Sequence, residues 1–511
     1  MKQFSATALI LAASLAGCAV GPDFHRPAAP ASTSYSPTPL PAKTASAPVP
    51  DGQAQRFDPE KDIPWDWWTL FGSKQINSLI EHAFRANPTI AAAQSALRQA
   101  GQSVVAQQGF FFPSIGISYS PSRNKLAGNM GGNSPGIQGN GSVIATTSGT
   151  PASQGGTPPY NAPVYYNFHV AQLNVGFVPD VFGANSRAVE SLRAQEMGQK
   201  FQLEATYITL AANVVAAALQ EASLRAQIRA TEAIVKSNEE GLKILKGQLR
   251  LGYASGIDLA NQDAALGQAR QALRQLQKQF DQTRDLVRAL AGNDEDQEIP
   301  ETFEISSIHL PQDLPLSLPS RIVEQRPDVR AAEEALHAAS AQVGVAVANR
   351  LPQFAITGAI GGMASQADWM FRSGGGFFSL IGSVSQSIFD GGTLSAREKM
   401  AREALVEAQA SYRSTVITAF QNVADTLHAI EQDAGSLQGA ARTEAAMKDA
   451  LEITEKQYRY GLVNYQALLA ARQNYQAALI NLTQARVLRL GDTAALYMAL
   501  GGGWWNRHGS S

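Results

Sequence analysis

The chain has 511 residues, a formal net charge of −2, one cysteine and seven scattered histidines. Near-neutral charge argues against a nucleic-acid binder that works by neutralising phosphates, and a single thiol excludes a disulfide framework or a multi-thiolate metal site. Hydrophobic residues make up 44%, enough for a large core. No spacing suggests a metal or nucleophile site, so no catalytic residue, metal or cofactor is expected.

Lys2 opens a short positive start, and Ala6 to Ala16 form an apolar stretch too brief to span a bilayer. Leu15-Ala16-Gly17-Cys18 then reads as a lipobox, which makes residues 1–17 a bacterial signal peptide. Cleavage would leave Cys18 first in the chain, free to carry acyl chains, and two or more chains make a stable anchor. A buried cysteine in an ordinary signal peptide is the competing reading; the only cysteine occupying the one position a lipobox requires counts against it. Ala19 follows instead of Asp, which suggests sorting to an outer membrane. Residues 18–64 are rich in Pro, Ala, Ser and Thr and read as a lipidated extended tether, with order beginning at Trp65. No later segment has 18 uninterrupted apolar residues, so any membrane crossing falls to strands.

The body is duplicated. From Pro88 to Pro113 is 25 residues, and so is Pro327 to Pro352. Phe182 stands 70 residues before Gly252, and Phe389 stands 72 before Gly461. The landmarks keep their spacing apart from a 32-residue insertion in the Gly/Ser/Thr-rich tract Asn124 to Pro163, an expected external loop. Each half predicts a helix between its two prolines, then two strands with alternating apolar residues: Ser114–Ser122 and Tyr165–Val178, Phe354–Met363 and Phe377–Ile388. A long helix follows in each, about Ala184 to Arg250 and Leu394 to Tyr460. A Gly-bearing turn then leads to a return helix. Residues 65–300 form the first repeat, 301–325 a linker, 326–496 the second repeat and 497–511 a tail.

Leu203, Tyr207, Leu210, Val214, Ala217, Glu221, Leu224 and seven later positions to Leu249 step by 4,3,4,3, a heptad seam. The same register, counted from Gly461, runs from Tyr412 through Thr426, Asp433 and Ala440 to Tyr458. Sixty-seven helical residues span about 100 Å. Four strands cannot close a barrel, and open strand edges are not tolerated in lipid. The expected fold is therefore α+β: an outer-membrane β-barrel completed by a homotrimer, four strands per chain, continuous with a periplasmic α-helical coiled-coil barrel.

The stretches Leu15-Ala-Gly-Cys18-Ala-Val-Gly-Pro-Asp-Phe-His-Arg-Pro27, Trp67-Trp-Thr-Leu-Phe71, Leu318-Pro-Ser-Arg-Ile-Val-Glu-Gln-Arg-Pro-Asp328 and Gly501-Gly-Gly-Trp504 resemble the TolC-like outer-membrane efflux proteins of the NodT lipoprotein type. The resemblance covers nearly the whole chain. It implies a trimeric channel that meets a periplasmic adaptor (membrane fusion protein) and an inner-membrane transporter of the RND class. It also implies that the turns Arg250-Leu251-Gly252 and Arg459-Tyr460-Gly461 dock onto adaptor hairpins, although both glycines equally suit a left-handed helix C-terminus. Asp258, Asp263 and Tyr458 are candidates for the periplasmic aperture, as rings of three in a trimer. Asp258 also fits a plain helix cap. In the family an acid often follows the Leu-Leu pair of the second return helix. Here Ala470 follows Leu468-Leu469. Trp67, Trp68 and Phe71 read as packing, and Glu333-Glu334 as a solvated face. The function this predicts is a passive exit duct for drugs or other small toxic compounds. A duct for type I protein secretion and a structural outer-membrane lipoprotein are the alternatives.

Overall fold

The computed structural model describes residues 19–30, 34–35, 41–126, 136–137, 143–144, 164–294, 296–317 and 319–507. Cys18, the 1–17 segment and most of the 124–163 tract lie outside the described residues. In chain order the elements are β1 (Arg56–Asp58), α1 (Lys74–Ala86), α2 (Pro88–Gln108), β2 (Ser114–Leu126), β3 (Val164–Phe177), α3 (Ala184–Arg250), α4 (Gly256–Ala291), β4 (Asp313–Pro315), α5 (Pro319–Gln325), α6 (Pro327–Ala348), β5 (Gln353–Ala364), β6 (Gly376–Ser385), α7 (Thr393–Arg459) and α8 (Tyr465–Ala499). A two-residue strand pair, Gly136–Ile137 with Val143–Ile144, lies between β2 and β3. The chain divides into two compact units.

The first unit comprises Met1–Phe24, Gly101–Ala194 and His337–Val406. It holds a four-stranded antiparallel sheet in the order β2-β3-β5-β6. The β2–β3 hairpin comes from the first repeat and β5–β6 from the second, and β3 pairs with β5 to join them. The helices expected to run to Pro113 and Pro352 end earlier, at Gln108 and Ala348, and each strand begins at the residue after its proline.

The second unit comprises His25–Ala100, Gln195–Leu336 and Glu407–Ser511. Trp67 and Phe71 are fully buried there, and Trp67 stacks on Tyr497 at 5.5 Å, which agrees with their reading as packing residues. On α3, ten of the fourteen expected seam positions are buried, and exposure begins only with Leu249 near the tip. Among the described helices α3 alone is long and apolar enough to cross a membrane, but two thirds of that apolar window is buried in the protein, so it is a packing face.

Several expectations need correction. On α7 the buried stripe runs Tyr412, Val416, Ala419, Val423, Leu427, Ile430, Ala434, Leu437, Ala441. It leaves the expected heptad at Leu427, Ala434 and Ala441, and Thr426, Asp433 and Ala440 are only half-buried. The steps average about 3.6 residues, the period of a straight helix, which drifts off a strict heptad by about 20° every seven residues.

Order also begins well before Trp65. β1 pairs in parallel with β4, and the guanidinium of Arg489, 1% exposed, donates to Thr44, Asp51, Gln53 and Gln55. A buried guanidinium needs several acceptors, and the polar 43–56 segment supplies them. The 301–325 stretch is core material as well, with Phe303, Ile308, Leu314 and Ile322 fully buried. So is the start of the tail, where Trp504 Nε1 donates to the Gln325 carbonyl at 2.6 Å. Glu333 is not solvated: it is buried between Arg26 at 2.9 Å and Arg330 at 2.8 Å.

Candidate functional site

Two features have the geometry of a functional site, one in each unit. The first is the sheet. Residues directly opposite on paired strands share a face. Ile115, Ile117 and Tyr119 therefore lie with Val175, Leu173 and Ala171, and these with Gly358 and Ile360, then Leu380 and Phe378. This face is apolar and largely exposed: Ile117 is 83% accessible and Phe378 82%. The opposite face carries Ser118, Gln172, Asn174, Thr357 and Ser379. Its amides bond one another, with Asn174 Nδ2 donating to Ser118 Oγ at 3.0 Å and Gln172 Nε2 to Asn174 Oδ1 at 2.7 Å. An exposed apolar face backed by a polar one fits lipid on one side and water on the other. Among the described residues, β2 and β6 each keep one unpaired edge.

The second feature is the pair of helix turns. Gly252 has φ +80° and Gly461 φ +73°, both left-handed. In one, Gly252 N–H donates to Leu249 O and Tyr253 N–H to Gln248 O; in the other, Gly461 N–H donates to Tyr458 O and Leu462 N–H to Gln457 O. Both turns are thus Schellman caps, which satisfy the orphaned carbonyls of a helix end. Around them Arg250, Leu251, Arg459 and Tyr460 are exposed, Leu251 at 70% and Tyr460 at 81%. Two capped helix ends therefore offer apolar side chains to solvent and spend their glycines on chain reversal. Ser255 and Asn464 then cap the return helices.

The aperture candidates separate. Asp258 closes a capping box: its backbone N–H donates to Ser255 Oγ, while its carboxylate accepts from the Ser255 hydroxyl at 2.7 Å and the Ser255 backbone at 3.0 Å. Those hydrogen bonds hold its carboxyl below the usual carboxylate range. Both reciprocal bonds of the box are therefore local, and the carboxylate also meets the Gln466 side chain of α8. Asp263 is exposed on α4. Tyr458 packs edge-on against Tyr465 at 5.8 Å and lines a cleft of about 770 Å³ with Glu240, Lys243, Glu455 and Arg472. Leu468 and Leu469 are buried beside Tyr465 as core.

Sequence reasoning missed the groups that tie the hairpins together. Arg472 on α8 reaches Glu240 on α3 at 3.9 Å and Glu455 on α7 at 3.5 Å. Asn238, fully buried on α3, accepts at Oδ1 from Gln262 of α4 and Gln473 of α8, both at 3.0 Å. One signal was available: Asn238 is a polar residue inside an apolar seam, the position that fixes register in coiled helices.

A family model described as outer membrane efflux protein matches residues 79–293 and 318–502. The toluene efflux pump outer membrane protein TtgC of Pseudomonas putida is 26% identical over 497 residues, 97% of this chain and 95% of the relative. The cation efflux system protein CusC of Escherichia coli is 25% identical over 495 residues, 97% of each chain. The solved outer-membrane channel OprN aligns at 24% identity with a TM-score of 0.77, covering 95% of this chain and all of that one.

Proposed function

Because the chain belongs to the outer membrane efflux protein family, and so forms the outer-membrane exit duct of an efflux system, we propose that three copies assemble into one passive channel. The observation that carries the trimer is the four-stranded sheet with one apolar face, one polar face and two open edges. Unsatisfied edge groups cost several kcal/mol each in hydrocarbon, so the edges must meet other copies. Three sheets give twelve strands, with the apolar face toward lipid and the polar face lining water.

The turns at Gly252 and Gly461 are the surfaces for a periplasmic adaptor, because exposed apolar side chains on capped helix ends suit a packed helical partner. An inner-membrane transporter of the RND class supplies the energy, and Cys18 carries the lipid anchor. Tyr458, with Arg472 and its two glutamates, is the better-supported aperture element, since Asp258 is committed to its cap. The relatives' names include toluene and cations, so the cargo is best read as small toxic solutes that the pump selects.

The test is a deletion strain exposed to antibiotics, solvents and metal cations. The reading expects lost tolerance and raised retention of a fluorescent efflux dye, both restored by the gene. Unchanged tolerance with an exported protein missing from the medium would favour type I secretion instead.

A further inference from the structure

The first unit contains a cavity of about 740 Å³ where α2 meets β2, β3 meets α3 and α6 meets β5. That volume falls within the usual range of ligand sites, roughly 300–1,000 Å³. Phe110, Phe112, Val178, Val181, Val345 and Phe354 are among its lining residues, and Phe110, Phe112 and Val178 are 67%, 72% and 60% exposed, so the cavity is open on that side. The polar residues among them are largely engaged with one another. Gln107 Nε2 donates to Asn185 Oδ1 at 2.7 Å, and Asp180 accepts from the backbone N–H groups of Asn185 and Ser186 at the start of α3. One donor is left over: Asn185 Nδ2 is buried without a hydrogen-bond partner. An apolar chamber with one spare donor suits a hydrocarbon chain that bears an ester or amide carbonyl at one end.

The start of the described chain points to the occupant. Ala19 lies against Gly183, with its Cα and Cβ 2.7 Å from where a side chain there would begin. Only glycine fits, and its φ of +78° requires glycine for a second reason. Val20 N–H donates to Phe182 O at 3.2 Å, Asp23 pairs with Arg187 at 2.7 Å, and Phe24 stacks on His337 at 4.3 Å. Residues 19–24 are thus pinned along the β3–α3 junction. Phe182 and Ala184, the neighbours of Gly183, line the cavity. Cys18 joins the chain one residue before this pinned point.

We propose that the cavity is an acyl-chain seat and that its occupant is the hydrocarbon carried on Cys18. This rests on the lipidation of Cys18. The anchor then acts as an internal filler at the base of the strands as well as a tether, and Gly183 and Arg187 are the residues that aim it. Apolar wall that would otherwise face water is covered by the lipid.

The test feeds cells a fatty acid bearing a terminal photoreactive diazirine, irradiates the purified trimer and maps cross-linked peptides by mass spectrometry. The expected product joins the peptide that carries Cys18 to peptides 106–112, 176–182 or 345–357 of the same chain. Ala188→Phe, which fills the cavity from α3, should abolish that product while the label on Cys18 and the trimer persist. A labelled Cys18 cross-linked only to lipid, to the apolar sheet face or to a neighbouring subunit overturns the seat and leaves lipidation standing. An unlabelled Cys18 overturns both readings. Labelling of the same cavity peptides by membrane phospholipid in a Cys18→Ser protein would identify a free lipid as the occupant and also overturn the proposal.

Discussion

Replacing Asp433 with asparagine should make the protein more stable at pH 8 and flatten its dependence on pH. Asp433 on α7 is half-buried, and its carboxyl faces that of Asp492. Burial, followed by the neighbouring Asp492 carboxylate, pushes its acid up from 3.8 to about 7, and Arg489 only partly opposes this. A carboxyl raised in the folded state favours folding while it is protonated. That contribution is whole below about pH 4 and is lost as pH rises through about 7. At about 1.4 kcal/mol for each tenfold, the full gap would be worth about 4 kcal/mol. Water reaches part of Asp433 and the proton is shared with Asp492, so about 2 kcal/mol is the working figure. The neutral amide of Asp433→Asn removes the like-charge repulsion and can donate to Asp492. Thermal unfolding of the detergent-solubilised protein from pH 5 to 8 measures this. The wild type should weaken across that range by about 1 kcal/mol more than the variant, the rest of the loss falling between about pH 4 and 5. Parallel curves for the two proteins, or a variant less stable at pH 8, would refute the account.

Two further substitutions test the tips and the core. No atom lies within 4 Å of where a Cβ on Gly252 would be, so Gly252→Trp meets only left-handed backbone strain of roughly 1–2 kcal/mol. It should leave the trimer assembled in the outer membrane while export and adaptor cross-linking are lost. Normal export would remove the docking role, and a missing trimer would point to the cap alone. Trp67→Ala empties a fully buried position stacked on Tyr497 and should cost about 3–5 kcal/mol of unfolding free energy. A loss below about 1 kcal/mol in denaturant titration would show that the aromatic cluster is not core.

Much of this fold was legible along the chain because its signals are local. Pro88 and Pro327 open helices, which stop at Gln108 and Ala348, a few residues short of Pro113 and Pro352, and the bounds expected for the first long helix, Ala184 to Arg250, are those observed. Alternation along Ile115, Ile117 and Tyr119 marked a two-faced strand, and the matched glycines marked both turns. The ring candidate at Asp258 also had a local answer, since Ser255 stands three residues before it in a capping box.

Other features depend on partners hundreds of residues away, which no local period reports. The Pro/Ala-rich segment before Trp65 carries no periodic pattern, yet Thr44, Gln53 and Gln55 are ordered because Arg489 is buried and must be satisfied. Glu333 could be seen as buried only once Arg26 and Arg330 were placed beside it. The drift of the α7 stripe and the meeting of Asp433 with Asp492 depend on how straight that helix runs against α8. Sequence by itself determined where helices and strands begin, end and turn, because propensity, capping and amphipathic period act within a few residues. Tertiary structure alone decided which polar groups are buried and paired, because the cost of desolvating a charge is settled by whatever chain arrives to face it.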